Sequence, residues 1–92
     1  MEHYMIIRLK DGTKAKQIRE EMTAVLQEAL RIEGIKKVDV FLSSYHLKDR
    51  YDMMIRIRMK KASLPVFEGS KVYEDWKERF EDEIDSMTVF DS

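Results

Sequence analysis

Apolar and polar residues alternate from His3 to Lys10, with His3, Met5, Ile7 and Leu9 on one side and Tyr4, Ile6, Arg8 and Lys10 on the other. Successive side chains of an extended chain point to opposite faces, so this period of two predicts a first strand with one face turned to a core. Asp11-Gly12 marks a turn, and Thr13 is placed to cap a helix by accepting a free backbone N–H. Ala15, Ile18, Met22, Val25, Leu26 and Ala29 then recur at steps of three and four, which lays one apolar stripe along a helix. Gly34 supplies the left-handed position that ends many helices, so the helix should stop near Ile32 or Glu33.

Val38, Val40 and Leu42 alternate with Lys37, Asp39 and Phe41 in a second strand. A polar loop, Ser43 to Arg50, leads to the clearest strand pattern of the chain: Tyr51, Met53, Ile55, Ile57 and Met59 against Asp52, Met54, Arg56 and Arg58. Ser63-Leu64-Pro65 reads as a helix start, with Ser63 capping and Pro65 in the first turn, where its missing N–H costs little. Gly69-Ser70 interrupts it. A longer helix is expected from about Lys71 to Asp85, with Val72, Tyr73, Trp76, Phe80 and Ile84 on one side, and Ser86 to Asp91 closes the chain as a fourth strand.

Strand, helix, strand, strand, helix, strand is the order of an α+β, ferredoxin-like βαββαβ unit, a four-stranded antiparallel sheet with both helices on one face. The other sheet face is then left bare, with Ile6, Phe41, Met54 and Phe90 among Arg8, Arg56 and Arg58. Such a mixed surface predicts a homodimer paired through the open sheet face, with Asp39 and acidic residues of the partner meeting the arginines, because unpaired guanidinium groups are costly to bury.

Length narrows the picture to residues 1–92 as one domain. A chain this size buries roughly 60–65% of its unfolded surface, and without cysteines it has neither disulfides nor thiolate chemistry, so help from a second subunit fits. Its 17 basic and 18 acidic residues nearly cancel, so nothing draws it toward nucleic acid. No apolar run approaches the roughly 20 residues that span a bilayer, and the first residues lack the pattern of an export signal. No membrane association and a cytoplasmic location are therefore expected.

The strand-one residues His3-Tyr4-Met5-Ile6-Ile7-Arg8-Leu9-Lys10, then Glu33-Gly34-Ile35, Asp49-Arg50-Tyr51-Asp52 and Val89-Phe90-Asp91 come in an order and spacing that resembles the stress-responsive dimeric α/β-barrel (Dabb) family over nearly the whole chain. The resemblance implies a ferredoxin-like protomer whose sheets pair into a dimeric α/β barrel. It also implies a pocket between sheet and helices, in which family members that act as polyketide cyclases use histidine and tyrosine for acid–base chemistry. His3 matches the family's strand-one histidine. The cyclase's strand-three histidine falls at Met53, its short-helix tyrosine at Phe67, and its His-Pro-Ala-His stretch reads Ser70-Lys71-Val72-Tyr73.

Two functions follow as expectations. The first is a stress-type homodimer that holds a small apolar or aromatic ligand between sheet and helices, lined by Met5, Met53, Phe67 and Trp76. The alternative is a cofactor-independent enzyme, a cyclase, isomerase or monooxygenase, with His3 and Tyr73 as acid and base, since imidazole takes and returns a proton near neutrality. No cofactor is implied. His46 with Asp49 and Asp52 holds metal-ligand types, but not at the spacing of a metal motif, and reads as a solvated loop.

Overall fold

The computed structural model describes residues 1–45 and 47–92. His46, weighed above as a metal ligand, lies outside them. Strand β1 is Glu2–Leu9, and a 3-10 turn at Gly12–Lys14 leads into helix α1, Ala15–Leu26. A second 3-10 turn, Gln27–Arg31, extends that helix before β2, Ile35–Leu42. Strand β3 is Met53–Met59, α2 is Ser63–Glu68, α3 is Lys71–Phe80, and β4 is Ile84–Asp91 after a turn at Glu81–Glu83.

The four strands form one open antiparallel sheet in the order β2-β3-β1-β4. His3, Met5, Ile7 and Leu9 of β1 and Met53, Ile55, Ile57 and Met59 of β3 are all buried, so the alternation read from the sequence assigns the inner face of both central strands correctly. Ala15, Ile18, Met22 and Leu26 of α1, Phe67 of α2, and Trp76 and Phe80 of α3 cover that face. Burying a large apolar side chain stabilises by roughly 1.5–3 kcal/mol, and this shared layer is what holds the helices to the sheet.

Local chemistry moves several boundaries. Asp11, not Thr13, caps the entry to the first helix: its carboxylate accepts from the Thr13 backbone N–H at 3.0 Å and from the Thr13 hydroxyl at 2.6 Å, and these bonds hold its pKa below the usual carboxylate range. Ser63 does not cap α2; its hydroxyl donates instead to the Glu33 carbonyl at 2.8 Å, tying α2 to the loop before β2. Helix α3 ends at Phe80 rather than Asp85, and Ile84 opens β4. The acidic run from Glu78 to Asp85 is compatible with helix periodicity, but Lys10 donates its backbone N–H to the Glu83 carbonyl, so pairing with the end of β1 takes over there. Tyr51 precedes β3 and is exposed.

Candidate functional site

His3 is 2% exposed on the inner face of β1, and its Nδ1 lies 2.5 Å from Oδ1 of Asp91, its cross-strand neighbour on β4. A carboxylate at Nδ1 fixes the tautomer and leaves Nε2 as the second proton site. Sequence reasoning singled out His3 but gave Asp91 no role. The signal was present in the parity of the last strand, which sets Asp91 on the same face as Val89 and Met87, and in the antiparallel pairing of the two terminal strands.

A row of rings runs from that dyad across the helices. The Phe67 ring meets His3 edge-on at 6.1 Å and Tyr73 edge-on at 5.4 Å, Tyr73 stacks on Trp76 at 5.7 Å and 21°, and Trp76 lies 6.5 Å from Phe80. These separations lie within the favourable range for aromatic pairs. Two local features build the row. Ser70 caps α3, accepting from the Tyr73 N–H at 3.2 Å while its hydroxyl donates to the Phe67 carbonyl at 2.6 Å, which fixes the corner between α2 and α3. Steps of three and four then put Tyr73, Trp76 and Phe80 on one side of α3. Phe67 thus stands in contact with both His3 and Tyr73, the two residues expected to act together.

Of the residues expected to line a ligand pocket, Met5, Met53 and Phe67 are packed into the core. Trp76 lines a pocket of about 160 Å³ between α3 and β4, together with Tyr73, Lys77, Glu81, Ile84 and Met87. The pocket exists because β4 is an edge strand beyond the reach of the helices. Met87 and Val89 share a face with the fully covered Ile7 and Met5, yet are 37% and 48% exposed. The Trp76 indole Nε1 is buried without an acceptor among the described residues.

The open face of the sheet is mixed, and two of its arginines, Arg56 and Arg58, find carboxylates within one chain. Arg56 donates to Asp39 at 3.0 Å and lies over the Phe41 ring at 5.0 Å, and the carboxylate beside it raises its pKa. Arg58 donates to Glu2 at 3.1 and 3.3 Å. Glu2 also accepts from the Tyr4 hydroxyl, and that bond first, then Arg58, keeps its carboxyl below the ordinary range. Arg8 donates to the Lys48 carbonyl at 2.7 Å and lies 5.2 Å from the Tyr51 ring, whose hydroxyl is 3.0 Å from the Thr88 hydroxyl oxygen. The acidic partners expected from a second subunit are therefore supplied for Arg56 and Arg58 by the same chain.

No family model and no curated protein matches this chain. Solved structures do. A dimeric protein of unknown function with a ferredoxin-like fold from Bacteroides fragilis superposes with a TM-score of 0.78 at 13% identity, over 99% of this chain and 92% of that one. A Dabb family protein with a ferredoxin-like fold from Mesorhizobium loti gives a TM-score of 0.76 at 14% identity, with 99% and 92% covered. A protein from Arabidopsis thaliana gives 0.78 at 17%, with 99% and 91% covered. The chain therefore has the ferredoxin-like fold found in a Dabb family protein, and at these identities the likeness is one of fold. Among the described residues, no helix is long and apolar enough to cross a membrane.

Proposed function

We propose that the protein acts as a homodimer, paired through the open sheet faces, that holds a small apolar or aromatic molecule in the pocket between α3 and β4. The stacked pair of Tyr73 and Trp76 forming one wall of that pocket is the observation that carries this reading. A flat aromatic wall with Ile84 and the thioether of Met87 opposite suits a ring and offers few polar partners. An apolar cavity of about 150 Å³ accepts benzene, whereas drug-sized ligands occupy roughly 300 Å³ or more, so a pocket of about 160 Å³ selects a single ring. The dimeric description of the Bacteroides fragilis protein supports a homodimer.

Trp76 is the one tryptophan of the chain, so its indole N–H gives a single, unambiguous peak in a proton–nitrogen correlation spectrum. Titrating benzyl alcohol should move that peak saturably, and Met87→Phe, which fills the pocket, should abolish the movement. A linear, unsaturable drift, or an unchanged response in Met87→Phe, would rule the pocket out.

The His3–Asp91 dyad favours a second reading, a cofactor-independent enzyme in which His3 is the base. Asp91 then stands as its orienting partner in place of Tyr73, because the Phe67 ring lies against both His3 and Tyr73. For any turnover found with a small carbonyl or phenolic compound, Asp91→Asn should lower kcat at least about tenfold with little change in KM. Equal activity in Asp91→Asn and His3→Gln to that of the unaltered protein would leave only the binding reading.

A further inference from the structure

We infer that in the homodimer the Phe90 ring of each copy enters a pocket on the open sheet face of the other, so that two reciprocal ring-in-pocket contacts lock the pairing. This rests on the paired-sheet reading above. The pocket measures about 210 Å³ and is lined chiefly by Ile6, Phe41, Leu42, Tyr51 and Met54. Tyr51 forms a fixed wall, held by Arg8 against its ring and by Thr88 at its hydroxyl.

Phe90 lies on the same face, on the edge strand β4, where its ring is tilted against Tyr4 at 6.3 Å and remains 59% exposed. Two-fold pairing requires a surface that complements itself, with a knob and a hole side by side on one patch. This face carries both. The hole exceeds the roughly 150 Å³ that suffices for a benzene ring. Tyr45 and Leu47 are comparably exposed, but they belong to the β2–β3 connection rather than to the sheet.

Charge allows the same occupant. A guanidinium buried without a partner is strongly destabilising, but Arg56 and Arg58 arrive already paired with Asp39 and Glu2. A second copy can therefore cover this face without contributing acidic residues of its own for those two arginines. An apolar ring beside these pairs is the anchor type that dominates interface energetics.

The test uses two variants that fail for opposite reasons. Phe90→Ala removes the knob and Met54→Trp fills the hole; each alone should weaken the dimer at least about tenfold by sedimentation velocity. Mixed in equal amounts, the two should form heterodimers well in excess of the statistical 1:2:1 distribution in native mass spectra, because the intact Phe90 of one meets the open pocket of the other. If Met54→Trp does not fold by circular dichroism, Ile6→Trp fills the same pocket. A dimeric parent protein whose variants show no heterodimer excess overturns the Phe90 contact and leaves the paired sheets standing. A monomeric parent overturns both.

Discussion

Trp76→Ala should cost about 3–5 kcal/mol of folding stability, while Trp76→Phe should cost far less. Roughly 5–14 kcal/mol is the whole stability expected of 92 residues, so the alanine variant forfeits a large share of it. Trp76 is 2% exposed and touches rings on both sides, Tyr73 and Phe80, so truncation removes apolar area and also leaves a void that stiff neighbours cannot fill. Phenylalanine keeps most of that packing. It also removes the buried indole N–H that has no acceptor among the described residues, a group whose desolvation costs about 1–3 kcal/mol, and that relief offsets part of the lost volume. Urea unfolding followed by far-ultraviolet circular dichroism compares the two without relying on the fluorophore being removed. Equal losses in the two variants would mean that phenylalanine neither keeps the packing nor gains from losing the indole N–H, and both arguments would have to be abandoned.

The central strands were legible because a period of two has a single consequence: shifting it by one residue would bury Arg8, Arg56 and Arg58 and expose Met5, Ile55 and Ile57. The stripe of α1 was legible for the same kind of reason. The end of α3 was not, since Glu78 to Asp85 satisfies a helix pattern and only pairing with β1 ends it. Caps were misassigned where two oxygen-bearing residues competed: Asp11 and Thr13 stand two apart, and the carboxylate is the stronger acceptor for a backbone N–H. The sequence pointed to His3 because strand parity turned it inward, but Asp91 required knowing the register of β1 against β4. Of the four residues expected to line a pocket, only Trp76 borders the cavity between α3 and β4. The cavity's position depends on how far the helices reach across the sheet, a property of packing that no local pattern in β4 encodes.

Gly34→Ala is expected to cost about 2–5 kcal/mol, through two separable effects. Gly34 sits at φ 91°, a left-handed conformation that strains any residue with a Cβ. A Cβ there would also lie 2.1 Å from the Ser63 hydroxyl and 3.3 Å from the Cβ atoms of Lys60 and Ser63. The hydroxyl cannot move aside freely, because Ser63 is buried and donates to the Glu33 carbonyl. Ser63→Ala alone loses that one hydrogen bond, roughly 0.5–1.5 kcal/mol. Combining the two substitutions should cost less than their sum by about 0.5–3 kcal/mol, because removing the hydroxyl removes the 2.1 Å clash and leaves the backbone strain and the two tight Cβ contacts. Strict additivity in urea unfolding would show that the contact is relieved by other means. The same junction seats α2, and α2 carries Phe67 against His3 and Tyr73. Gly34→Ala should therefore also shift the Trp76 indole peak, which reports the ring row at a distance from the substitution, whereas Ser63→Ala, which adds no atom, should shift it less.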